Sequence, residues 1–179
     1  LVEHSYGDAE LTARSREIPR VVLAEDRVSA VRINEQIVVR TWPMTHSEWA
    51  PVLGARFEIS DAEAPETRPI VVAFTGDTSP NEAVVALARD ADLIVHDAAG
   101  SATLRPDMPL GEYGHSSAEA AARLARRAGA RHLALVHLEG ENVDAKLEGI
   151  YLAEATRVFD GAVSAPVAGH TLDFQHGET

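Results

Sequence analysis

Three stretches of the chain share one design, an apolar, β-branched run that closes on a side chain able to bind a metal ion. Residues 37–46 end at His46, residues 70–77 at Asp77 and residues 132–137 at His137. Valine and isoleucine, stiff at χ1, favour extended backbone and pack well on a pleated surface. Strands of one sheet deliver their terminal residues to a common edge, so two histidines and a carboxylate distant in sequence can meet at one point. Such a point suits a hydrolytic metal site.

The intervening residues predict the elements that would carry this edge. Residues 28–33 and 36–42 form one expected strand pair around Asn34 and Glu35, and residues 55–59 and 70–75 a second around an acidic, proline-containing loop at 61–69. A short helix is expected over Asn81 to Asp90 after Ser79-Pro80, followed by a strand from Leu93 to His96. The strongest helix signal starts at Ser116-Ser117-Ala118-Glu119, which has capping-box spacing, and stops at Gly129 with arginines in its last turn. A strand to His137, a helix from about Val143 to Phe159 and a terminal strand pair within Ala162 to Phe174 complete the pattern. Alternating strands and helices indicate an α/β layered domain, and 179 residues suffice for one such unit with its own core.

Composition narrows the chemistry. With 16 Lys and Arg against 28 Asp and Glu, the net charge of −12 repels phosphate backbones and anionic membrane surfaces, so nucleic acid is a disfavoured partner. The chain has no cysteine, which leaves His, Asp and Glu to hold any metal and fits a cytoplasmic location. No apolar run approaches the roughly 20 residues that span a bilayer. The start, Leu1-Val2-Glu3-His4, has neither an initiator Met nor a signal-peptide pattern, and is expected to be a product of cleavage.

Among the candidate residues Asp77 stands first. Gly76 permits a sharp turn as the strand ends, leaving the carboxylate at the sheet edge with Thr78 placed to orient it. Read without further context, Asp77 could equally cap a following helix, and a lone strand-end histidine is more often a core or surface residue than a ligand. His115 could belong to the cap of the helix it precedes. The arginines 123, 126, 127 and 131 read as a solvated face, and His4, His132, His170 and His176 as structural or exposed.

Five pieces taken together change that weighting: His46 followed by Gly54-Ala55-Arg56-Phe57-Glu58, the turn Thr75-Gly76-Asp77-Thr78, the segment Ala91 to Ala98 containing His96-Asp97, then Gly114-His115-Ser116-Ser117, and Leu135-Val136-His137-Leu138. In order and spacing, over roughly residues 28 to 174, they resemble the second half of a metallo-β-lactamase-fold hydrolase of the ribonuclease Z and arylsulfatase-like branch. The resemblance implies an αββα fold of which residues 1–179 form the C-terminal lobe, a mixed sheet with flanking helices. It implies two divalent metal ions, zinc or else manganese or iron, bridged by Asp77 and flanked by His46 and His137. His115 then faces the scissile group, and His96, Asp97 and Thr78 support the ligands from behind.

The family's His-x-His-x-Asp-His motif is absent from these residues. A catalytic zinc takes three protein ligands plus water, so each ion would be left short, and the implied partner is an N-terminal lobe carrying that motif. The expected activity is hydrolysis by metal-activated water of a small ester, lactone, lactam, phosphodiester or sulfate ester, with a phosphodiesterase acting on a small nucleotide or RNA as the enzymatic alternative. A non-catalytic scaffold or binding module that lost the primary metal motif, as a single chain or a homo-oligomer, is the alternative of another class.

Overall fold

The computed structural model describes residues 24, 26–47, 50–139, 144–166 and 171. Glu48, Trp49, His4, His170 and His176, and much of the expected terminal strand pair, lie outside them. The elements are β1 (Ser29–Arg32), β2 (Ile37–Ser47), β3 (Ala50–Ile59), β4 (Ile70–Phe74), α1 (Glu82–Leu87), β5 (Leu93–Asp97), α2 (Ala118–Ala128), β6 (His132–Val136), α3 (Ala145–Thr156) and β7 (Ala162–Ser164). All seven strands form one sheet in chain order. β1 to β4 pair antiparallel, and β4 to β7 pair parallel through helical crossovers. This is the mixed sheet with flanking helices that the sequence leads one to expect.

Strand direction explains why distant residues converge. β2 and β4 are both antiparallel to β3 and so run the same way, and β5 and β6 run parallel to β4. The C-terminal ends of four strands therefore lie along one edge, where His46, Asp77, Asp97 and His137 emerge.

The two faces of the sheet differ. Val71, Ala73, Ile94, Leu133 and Leu135 point to one face and are buried against Val84 and Leu87 of α1, the alanines of α2, and Tyr151 and Ala155 of α3. Small side chains on α2 let that helix lie close to the strands. On the opposite face Val72, Val95 and Val136 are only partly buried, and Phe74, edge-on to Phe57 at a ring separation of 5.7 Å, remains 43% exposed. The strands are thus apolar on both faces, the pattern of a sheet built to be covered twice.

Three local readings of the sequence need adjustment. The hairpin β2–β3 is longer than the expected 36–42 and 55–59, pairing as far as Pro43 with Leu53 and Met44 with Val52. β1 begins at Ser29 opposite Thr41, so among the described residues β2 has no partner on that side beyond this point, and the missing proline N–H breaks no pairing there. The cap of α2 falls on Ser117, whose hydroxyl accepts from the Ala120 N–H at 3.2 Å, one residue later than the capping-box spacing implied. Ser116 is drawn away, its hydroxyl donating to the Thr78 carbonyl at 2.8 Å. Glu119 pairs with Arg123. Gly129 does end α2 in the left-handed conformation, at φ 70°.

Candidate metal centre

At the converging edge Asp77, Asp97, His115 and His137 each offer one ligand atom, and these atoms lie within 4.8 Å of one another. Local backbone produces the convergence. Gly76 turns the chain out of β4 at φ 64°, and His137 leaves β6 with φ 60°. Histidine seldom adopts that left-handed backbone, and such conformations concentrate at functional sites. Asp77 is half-buried and His137 exposed, so both can be reached from outside.

Asp97 is differently placed. It is 1% exposed, and both of its oxygens are engaged. Oδ1 accepts from the Ala99 N–H at 3.0 Å, while Oδ2 accepts from the N–H groups of Thr78 and Ser116, each at 3.2 Å, and lies 3.0 Å from Nδ1 of His115. The carboxylate leaves little capacity for a metal and is better described as the bracket of His115. Because a carboxylate only accepts, the His115 proton sits on Nδ1, and Nε2 is left for the site. The His115 ring stacks on His137 with centroids 5.2 Å apart.

His46 stands beside this group, its ring edge-on to His115 at 5.0 Å. Its Nδ1 donates to the Gly114 carbonyl at 2.9 Å, which frees Nε2 to act as a ligand and holds the ring in place. This contact is close enough that only glycine fits: Gly114 has φ 79°, and a Cβ there would collide with the backbone and ring of His46.

The remaining expected residues take other partners. The Thr78 hydroxyl donates to the carbonyls of Thr45 and Ser79 at 3.1 and 3.0 Å and does not orient Asp77; its N–H instead supports Asp97. Alternation along β5 turns His96 onto the helix-covered face. There it is fully buried, with Nδ1 donating to the Asp97 carbonyl at 2.7 Å and Nε2 without a partner. Burial lowers its pKa and keeps the ring neutral.

Sequence reasoning did not anticipate Glu154. This buried side chain of α3 accepts from the Ser101 hydroxyl at 2.6 Å and the Thr103 N–H at 2.7 Å, anchoring the loop that leads from Asp97 to His115. Nothing distinguishes it in sequence from other helical glutamates. Gly114 directly precedes His115 in sequence, and its role as the seat of His46 becomes visible only when β2 is brought alongside.

Imidazole nitrogens and carboxylate oxygens without thiolate suit zinc, manganese or iron, and the clustering of Asp77 and His137 with His46 alongside fits a divalent ion. Fold and site together define a metallo-β-lactamase-fold protein. Within that fold the chain is similar in sequence to ribonuclease Z. No family model matches it. It is 41% identical over 93 residues to ribonuclease Z of Brevibacillus brevis, a match covering 49% of this chain and 28% of that protein. It is 35% identical over 130 residues to ribonuclease Z of Natronomonas pharaonis, covering 67% of this chain and 40% of that one. Among solved structures it superposes on the metallo-β-lactamase-fold protein YhfI of Bacillus subtilis with a TM-score of 0.67 at 20% identity, covering 91% of this chain and 61% of that one. Human tRNase Z, short form, gives a TM-score of 0.51 at 24% identity over 66% of this chain and 42% of that one. The chain thus spans 28% and 40% of the length of these two curated relatives.

Proposed function

We propose that the chain forms part of a metal-dependent hydrolase that cleaves a phosphodiester, with His46, Asp77 and His137 as metal ligands and His115 as the proton donor. The observation that carries the reading is the grouping of Asp77, Asp97, His115 and His137 within 4.8 Å at the ends of three parallel strands and the turn before α2. The likeness to ribonuclease Z favours a phosphodiester over the other esters considered.

Two divalent ions, zinc in the first place, would supply a nucleophile from water near neutral pH and polarise the phosphoryl oxygens. The protein's own part is orientation and proton transfer. Gly114 holds the His46 ring through Nδ1, leaving Nε2 directed away from its backbone partner. Asp77 would help hold the ions through its carboxylate, placed among Asp97, His115 and His137 at the sheet edge. His115 would donate from its doubly protonated form: the Nδ1–H stays on Asp97, and a proton on Nε2 passes to the departing oxygen, leaving the neutral ring. Until that transfer Asp97 stabilises the charged ring from an interior position from which water is largely excluded.

Three ligands serve two ions poorly, and we assign the missing donors to an N-terminal lobe bearing a His-x-His-x-Asp-His motif. The partly bare sheet face around Phe74 and Val95 supports a second layer there. A cysteine-free chain is compatible with work in the cytoplasm, and among the described residues no helix is long and apolar enough to cross a membrane. Hydrolysis of bis(p-nitrophenyl) phosphate by the assembled protein, measured before and after chelation and on return of zinc, tests the proposal. Turnover that follows zinc is the expected result; turnover indifferent to chelation overturns it.

A further inference from the structure

A cleft of about 320 Å³ lies beside His115, walled by Pro80, Pro106, Met108, Pro109, Leu110 and Ala120. That volume lies at the lower end of the roughly 300–1,000 Å³ of small-molecule sites. We propose that this cleft seats the leaving group of the substrate, and that the leaving group is a neutral, apolar alcohol; the proposal rests on the assignment of His115 as proton donor. His115 lines both the metal centre and the cleft, so a group accepting its proton would extend directly into the apolar walls.

The lining is poor in groups that recognise anions. Among the described residues the only ionisable lining side chain besides His115 is Arg105, whose Nη2 is 2.5 Å from Oε1 of Glu139 and whose charge is thereby balanced. Several backbone N–H groups of the loop are spent internally: Met108 on Arg105, Leu110 on Met108, Glu112 on Pro109 and His115 on Leu110. Pro106 and Pro109 have no N–H to give. For a phosphate the lining offers the Ser117 hydroxyl and the Gly111 N–H, whereas an alkyl or aryl group would find proline, methionine and leucine on most of the wall. Two of the large apolar side chains that remain exposed, Leu104 and Tyr113 at 43% and 59%, belong to the same loop and extend this character outward. The net charge of −12 disfavours a polyanionic leaving group in the same direction.

The cleft is also preformed. Leu110 packs onto Gly100 so closely that a Cβ on that glycine would run into its side chain. Glu154 fixes the start of the loop through Ser101 and Thr103, and the ion pair of Arg105 with Glu139 ties its middle to the segment that follows His137. Little ordering is left for the ligand to impose, which favours binding of a small apolar group.

Backbone amide shifts of the whole chain, titrated with benzyl alcohol and separately with inorganic phosphate, test the proposal. Benzyl alcohol should shift the amides of Leu110, Gly111, Ser117 and Ala120 saturably, and phosphate should leave them in place. Ala120→Phe, which fills the cleft, and Met108→Glu, which puts a charge into it, should each weaken benzyl alcohol binding by about tenfold or more, equivalent to about 1.4 kcal/mol, and leave zinc affinity unchanged. Benzyl alcohol shifts that do not saturate, phosphate shifts at the same amides, or variants that bind benzyl alcohol as the parent does would each overturn it. Zinc affinity, measured in parallel, separates failure of the cleft from failure of the metal centre.

Discussion

Asp92 and Asp97 stand at opposite ends of the same five-residue strand, both almost wholly buried, and the protein uses them for different ends. Asp92, just ahead of β5, is clasped by the Arg68 guanidinium, accepts from the Val71 N–H at 2.8 Å, and has Arg131 at 3.8 Å. Burial by itself would raise its pKa, but Arg68 and the Val71 N–H outweigh that and hold the carboxyl below its ordinary value. Asp97, at the far end, has no guanidinium partner among the described residues. Backbone N–H groups support it, and its one charge-capable partner is the His115 ring, which can gain and lose a proton. A permanent cation makes a carboxylate a clamp; a titratable one makes it part of a proton-handling pair.

Asparagine at each position separates the two roles. Asp97→Asn keeps an acceptor for the backbone but removes the charge behind His115, and turnover of the assembled protein should fall on the order of 100-fold or more, the scale of a lost general acid. The amide keeps one accepting oxygen where two are engaged, so urea midpoints should fall as well. Asp92→Asn should also lower stability, by about 1–3 kcal/mol as a buried charge-assisted contact is broken, but with turnover intact. If Asp92→Asn impaired turnover as severely at full stability, the contrast between the ends of β5 would fail.

Acid sharpens the comparison with a smaller effect. Glu154 and Asp92 both have lowered pKa values in the folded protein: at Glu154 hydrogen bonds from Ser101 and Thr103 overcome the opposing effect of burial. A carboxyl with a depressed folded pKa adds stability above its unfolded value and loses it as pH falls through the folded one. Unfolding midpoints should therefore drop once pH passes below 4.5, the ordinary value of a glutamate, and Glu154→Gln should flatten part of that drop. An unchanged profile in that variant would show that Glu154 is not an acid-sensitive anchor of the loop.

The strands were legible because each is a short apolar run bounded by breakers, and Gly129 because a left-handed helix end requires such a residue. The sites of misreading have physical causes. The expected strand stops at Trp42, yet β2 runs on through Pro43 to Ser47, where among the described residues it is unpaired on one side and tolerates the missing N–H. Ser116 and Ser117 both suit a cap, and the choice between them depends on Asp97 and Thr78, which attract the N–H and hydroxyl of Ser116 from other elements. Residue types and order pointed to His46, Asp77, His115 and His137 as candidates. The bond between Asp97 and His115, the seat of His46 on Gly114 and the anchoring by Glu154 are contacts between segments, and spacing within one segment carries no sign of them.

The division of labour at the edge is tested most directly by zinc titration calorimetry on the assembled protein and on its Asp77→Ala and His115→Ala variants. With Asp77 as the shared ligand and His115 committed to Asp97, zinc binding should be abolished in Asp77→Ala and retained within about threefold in His115→Ala, a difference of less than about 1 kcal/mol. Zinc binding that survives in Asp77→Ala, or that is lost equally in His115→Ala, would contradict the assignment of one residue to the metal and the other to the proton.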